Sequence, residues 1–182
     1  MQSTIFETLQ LTIRELDPSD LDAFHEMQGN IEVMRYTTGK ANTLAEDTLD
    51  LEKLIRHYKE PNNLFWVWAI EHKVDKTLLG TCALIGDQAG IYEIGFRFLE
   101  KYWGKGYGKE VTNALIDYAF CQGEVKGLIA YVDVNNTASI SILEQSKLGF
   151  VEEMDNKELK SRERFYKMEI VEVNTNIEVV ED

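Results

Sequence analysis

Between a strand-like run, Ile91 to Phe98, and a helical pattern that begins near Lys109 lie seven residues, Tyr102-Trp103-Gly104-Lys105-Gly106-Tyr107-Gly108. Glycine at alternate positions lets the backbone turn sharply and approach a ligand with no Cβ in the way. The open amides at the start of the next helix then face an anion, which the helix dipole favours. A glycine-rich turn from strand into helix is therefore a diphosphate cradle. Spacing argues against two common versions. No G-x-x-x-x-G-K-[ST] occurs in the chain, which removes a Walker-type loop. The glycines run G-x-G-x-G and lie mid-chain, unlike the G-x-G-x-x-G of an opening dinucleotide-binding βαβ unit.

Periodicity around the cradle predicts a mixed fold. Leu9 to Leu16, Leu64 to Glu71, Leu78 to Ile85, Leu128 to Val134, Gly149 to Glu153 and Arg164 to Val173 read as strands. Asp17-Pro18-Ser19-Asp20 is a helix start, with a capping Asp and Pro at the first helical position, followed by an apolar stripe of Leu21, Phe24, Met27 (or Gln28) and Ile31. Leu44, Thr48, Leu51, Ile55 and Tyr58 mark a second helix. Val111, Leu115 and Tyr118 mark the helix after the cradle, and Thr137 to Ser146 a fourth. The charged stretch 155–163 reads as a hairpin loop, and the residues from 174 to 182 as an acidic tail beyond a single domain over 1–173.

Composition bounds the function. A chain of 182 residues suffices for one domain with a core. No apolar run approaches the roughly 20 residues of a membrane span, and Met1 to Glu7 lacks the basic and apolar regions of a signal peptide. Cys82 and Cys121 form no C-x-x-C pair, which fits a reducing, cytoplasmic setting, and Cys121 is expected to be a buried small apolar group. His25, His57 and His72 are too scattered to bind metal. A formal net charge of -13 argues against nucleic acid as a partner and favours a cationic one such as an amine. Lys101, Lys105 and Lys109 surround the cradle, where they outweigh carboxylates screened beyond about 10 Å.

Glu93-Ile94-Gly95-Phe96, followed by Tyr102-Trp103-Gly104-Lys105-Gly106-Tyr107-Gly108-Lys109-Glu110, resembles the acetyl-CoA-binding strand, loop and helix of the GCN5-related N-acetyltransferases (GNAT). More narrowly it resembles the RimJ/RimL-like branch, the ribosomal-protein N-terminal acetyltransferases, whose loop carries Tyr-Trp-Gly. Asn135-Asn136-Thr137-Ala138-Ser139 and Lys147-Leu148-Gly149-Phe150 are similar to that branch's Asn-x-x-Ser and Leu-Gly-Phe signatures. The resemblance implies an α/β (α+β) fold: a central mixed, mostly antiparallel sheet of about six or seven strands flanked by about four helices. It implies an acetyl-CoA-dependent N-acetyltransferase acting on a protein N-terminus or a small amine, as a monomer or homodimer. The alternative is an inactive acetyl-CoA-binding module with a regulatory or partner-binding role.

The same resemblance distributes roles. Trp103, Gly104, Lys105, Gly106, Tyr107, Gly108 and Lys109 hold the diphosphate. Phe96, Arg97 and Phe98 line a gap between strands that takes the pantetheine arm, and an N–H near Phe96 or Arg97 stabilises the oxyanion. Asn136, with Asn135 as the alternative register, bonds the pantetheine amides and Ser139 stands near the sulfur, although a helix N-cap is the other reading of these positions. Glu93 is the expected base, with Glu71 and His72 as rivals. Trp66, Trp68, Tyr92 and Tyr36 are candidates for an acceptor pocket, with core packing as their alternative.

Overall fold

The computed structural model describes residues 3–123, 125–157 and 160–169. The predicted tail and the last four residues of the predicted domain, 170–173, lie outside that range. Eight strands form one sheet: β1 (Thr4–Glu7), β2 (Leu11–Arg14), β3 (Phe65–His72), β4 (Leu78–Gly86), β5 (Ile91–Phe98), β6 (Gly127–Asp133), β7 (Gly149–Asn156) and β8 (Ser161–Glu169). They are ordered β1-β2-β3-β4-β5-β6-β8-β7, and only β5 and β6 pair in parallel. Five α-helices cover the sheet among the described residues: α1 (Leu21–Gln28), α2 (Ile31–Met34), α3 (Leu44–His57), α4 (Tyr107–Cys121) and α5 (Thr137–Glu144).

Two cores follow from strand alternation. Phe24 and Met27 of α1 and Leu51 of α3 pack with Ala69 and Leu78 on one face. Val111, Leu115, Ile116 and Ala119 of α4 pack with Trp68, Ile70, Ile94 and Leu128 on the other, joined by Ile140 and Leu143 of α5. The helix starts have local causes. Thr43 and Glu46 form a capping box at α3, with Thr43 N–H donating to Glu46 Oε2 at 2.7 Å. Asp17 and Asp20 form another, which opens a 3-10 turn (Pro18–Asp20) ahead of α1.

Several expectations need correction. The first strand predicted at Leu9 begins at Leu11, while Leu9 is 88% exposed in the turn from β1. That added hairpin strand brings the sheet to eight, above the expected six or seven. The stripe assigned to one N-terminal helix is broken at Gly29-Asn30. Asn30 caps a separate α2 through Glu32 N–H, and Ile31 is left exposed. Both ends of the 155–163 stretch are strand, with Asp155 opposite Arg162 and Asn156 opposite Ser161. Cys121 is exposed, not buried.

The site is positioned by a failure of pairing. β5 and β6 are bonded at Ile91–Gly127, Tyr92–Leu128 and Glu93–Ile129 only. Past Glu93, β5 continues against β4 as far as Phe98 opposite Gly80, and β6 continues against β8 as far as Asp133 opposite Glu163. The two strands part, leaving facing edges of backbone donors and acceptors with no strand between them.

Candidate active site

A groove of about 1130 Å³ enters this parting, lined by Glu93 to Phe98 of β5, Ala130 to Asp133 of β6, the loop from Tyr102 to Lys109, and Asn135 to Ser139. Its far wall is built by α1, α2 with the turn that follows it, and α3, including Gln28, Tyr36, Asp50 and Lys53.

At one end stands the glycine loop. Gly104 and Gly106 adopt φ of +70° and +87°, and a Cβ at either would meet nothing within 4 Å. These glycines are required by backbone conformation, not by crowding. Gly106 is the N-cap of α4 and offers no side chain to cap it. The first-turn amides of a helix have no partner within the helix; a Ser or Asp cap would occupy them, whereas glycine leaves them for an incoming anion. Trp103 braces the loop, its indole N–H donating to Phe98 O at 2.9 Å. Lys105 lies 5.1 Å from the Tyr102 ring centre, and Lys109 donates to Gln145 Oε1 at 3.1 Å. Neither has a carboxylate partner among the described residues. Lys101, expected at the cradle, is tied to Glu26 at 2.7 Å, so Lys105 and Lys109 supply the local positive charge. Glu110 turns away from the cradle, accepting from Thr8 Oγ1 and Gln10 N–H.

The middle of the groove is bare. A Cβ at Gly95 would meet nothing within 4 Å, so a ligand can lie against the β5 backbone there. Phe98 is buried and stacks with Tyr107 at 6.5 Å, so its side chain does not serve a ligand, and its carbonyl already accepts from Trp103. Asn136 caps α5: its Oδ1 accepts Ser139 N–H at 3.2 Å. Its Nδ2 makes no hydrogen bond within the described residues, and both Asn136 and Ser139 line the groove.

At the other end stands Glu93. Glu93 is an exposed residue, and the groove walls bury its carboxylate only in part. That burial, with the nearby charge of Glu163, pushes its carboxyl above the ordinary 4.5. Tyr131 and Glu163 share this face, and Asn156 donates to Glu163 Oε1 at 2.9 Å. Glu163, Tyr131 and Asn156 carried no motif in the sequence. Tyr131 comes with β6, the antiparallel pairing of β6 with β8 brings Glu163, and the pairing of β7 with β8 brings Asn156.

The rival bases lie elsewhere. Glu71 is buried in ion pairs with Arg14 at 2.7 Å and Lys76 at 3.4 Å. His72 pairs with Asp75 at 3.0 Å, and neither lines the groove. Trp68 and Tyr92 are core, with Trp66 packed against them. Tyr36 alone of the four aromatic candidates reaches the groove, its hydroxyl donating to Asn135 O at 3.2 Å. No cluster of metal-binding side chains occurs among the described residues.

Known proteins resemble the chain in sequence and in fold. Residues 10–151 match the family model described as an acetyltransferase (GNAT) domain. YkkB of Bacillus subtilis is 33% identical over 82 residues, so the chain spans 48% of that relative and the match 43% of this chain. The spermidine N(1)-acetyltransferase of Vibrio cholerae is 27% identical over 146 residues, 79% of this chain and 80% of that protein. A solved structure of RimL, a ribosomal L7/L12 α-N-protein acetyltransferase in complex with coenzyme A, superposes with a TM-score of 0.79 at 15% identity. It covers 92% of this chain and 98% of that one, a likeness of fold.

Proposed function

The chain belongs to the GNAT acetyltransferase family, and from that premise we propose that it moves acetyl from acetyl-CoA onto a primary amine by direct attack within a ternary complex. The observation that carries this reading is the junction of the glycine-capped α4 with the parting of β5 from β6. One end of the groove offers bare amides and two cations, and the other offers a carboxylate held above its ordinary pKa. We place the protein in the RimJ/RimL-like branch, as one catalytic domain over 1–173 working in the cytoplasm.

The residues divide the work. Amides from Gly104 to Lys109, with Lys105 and Lys109, grip the diphosphate. The unpaired edge of β5 from Phe96 to Phe98 hydrogen-bonds the pantetheine arm as an added strand would, assisted by Asn136 Nδ2. The thioester supplies the activated acetyl group. An N–H near Phe96 or Arg97 faces its carbonyl oxygen, where one such donor is worth about 3 kcal/mol of barrier. Glu93 takes a proton from the ammonium form of the acceptor, directly or through water. Ser139 stands near the sulfur. No tyrosine lies on α5 to protonate the leaving thiolate, whose conjugate acid has a pKa of about 8.5 if it behaves as a cysteine thiol.

Release of free coenzyme A from acetyl-CoA, assayed with and without amines, tests the reading. Amine-dependent release that falls in Glu93→Gln is the expected result. Tight acetyl-CoA binding with no amine-dependent release would instead support a non-catalytic binding module.

A further inference from the structure

Arg97 stands two residues past Gly95 on β5, about 7 Å along the strand, and lines the groove. Its Nη1 donates to Gln28 Oε1 at 2.6 Å and lies 3.8 Å from Met34 Sδ. No carboxylate of the described residues forms an ion pair with it, and Nε and Nη2 donate no hydrogen bond there. Gln28 cannot easily turn to offer more. Its Nε2 donates to Asp47 Oδ1 at 3.0 Å, and fully buried Asp47 also holds Asn42 Nδ2 at 2.9 Å and His25 Nδ1 at 2.6 Å. This network grips the guanidinium through one nitrogen and leaves its other donors for the groove.

A guanidinium stays charged at any working pH and carries five N–H donors. Surrounding it with protein and no carboxylate in direct contact is unfavourable, and burial does push the Arg97 pKa down, against a pull upward from Asp50 and Asp47. Asp50 is joined on the same wall by Lys53, so this end is not an acidic pocket. The acidic end is four residues away along β5, at Glu93 and Glu163. The groove is therefore dipolar. We infer that the acceptor is a primary amine that also carries a carboxylate, with its amine toward Glu93 and its carboxylate on the free fork of Arg97. This rests on the proposed transfer beside Glu93. A planar carboxylate can take two parallel N–H bonds from that fork, whereas a polyamine would set a second cation against it. A free amino carboxylate and a peptide N-terminus followed by an acidic residue both present this chemistry.

Calorimetric titration of the protein–coenzyme A complex separates these cases. The small-molecule arm compares γ-aminobutyrate, its amide and putrescine. The peptide arm compares methionyl-glutamate with methionyl-glutamine, both as C-terminal amides. In one arm the acid should bind roughly tenfold to a hundredfold tighter than its amide, and the arm that shows this identifies the source. Arg97→Gln should bring that ratio to within about twofold, and Arg97→Lys should retain part of it. Equal binding of acid and amide by the wild-type protein in both arms overturns the inference without any variant, as does a ratio that survives Arg97→Gln. Acetylation is measured in parallel. Carboxylate-dependent binding without turnover refutes the transfer and keeps the Arg97 assignment; equal turnover of acids and amides does the reverse.

Discussion

Glu93 on β5 and Glu71 on β3 are carboxylates of one sheet, and their surroundings give them opposite roles. Among the described residues no cation pairs with Glu93, and burial with Glu163 raises its pKa above 4.5. A raised carboxylate favours the neutral form in the folded state, so its contribution to stability is present below the unfolded value and lost as pH rises through the folded one. Glu93→Gln keeps the shape without the charge. The melting temperature at pH 7 should therefore hold or rise while turnover falls by about 10²- to 10⁴-fold. In the wild type, turnover should climb with pH through the raised pKa, and this limb should vanish in the variant; unchanged turnover at every pH would dismiss the base. Glu71 is the opposite case. It is 8% exposed and bonded to Arg14 Nε, while Asp20 takes the other face of the same guanidinium at 2.8 Å. Glu71→Gln should cost about 2 kcal/mol in denaturant unfolding, a hydrogen bond to a charged group. Turnover per folded molecule should stay the same.

At the scale of elements, α4 is set by the chemistry of its start, a glycine cap and an acidic first turn. Gly106 at φ +87° has open space for a Cβ, so Gly106→Ala meets no clash and only backbone strain, about 1 kcal/mol. The change should lower stability by that amount and weaken acetyl-CoA binding more, because rotating the cap turns the first-turn amides. Equal loss for both measurements would mean the loop holds no ligand. Glu110 fastens the same turn to the β1–β2 connection. Burial pushes its carboxyl up, but bonds from Thr8 and Gln10 outweigh this and hold it below 4.5. A lowered carboxylate stabilises above its unfolded value, and that part is lost as pH falls through the folded one. Glu110→Gln should therefore flatten the acid limb of thermal stability below about pH 4.5, whereas a limb of unchanged slope would show that the attachment lies elsewhere. These elements also mark what the chain discloses in advance. The glycine loop, the capping residues and the apolar stripes of α3 and α4 announce themselves because the information is local: a turn, a cap and a 3.6-residue period. β1 was hidden because four residues beside an exposed Leu9 carry almost no periodic signal. Glu163, Tyr131 and the Arg97–Gln28–Asp47 network were hidden for a different reason. They are assembled by contacts between distant parts of the chain, such as Arg97 with Gln28, separated by 69 positions, and no local pattern encodes them.

For the whole molecule, the charge balance and the proposed ligand pull in opposite directions. A net charge of -13 repels an anion at long range, but beyond about 8 Å at physiological ionic strength that field is screened. Within it lie Lys105 and Lys109, free of carboxylate partners among the described residues, and the N-terminus of α4. The ligand would also bridge the loop, the open edge of β5 and the cap of α5. Binding only the folded state stabilises it by about 2.7 kcal/mol at one hundred times Kd. For a chain of 182 residues that is a rise of roughly 5–10 °C in melting temperature. Acetyl-CoA should produce it, and ATP and NAD at equal concentration should not, since neither has an arm to pair with β5. Because local cations do the attracting, Lys105→Gln with Lys109→Gln should shrink the shift and make it less sensitive to added salt. A shift as large with ATP as with acetyl-CoA would show that the groove recognises phosphate alone, and would remove the parted strands from the account of function.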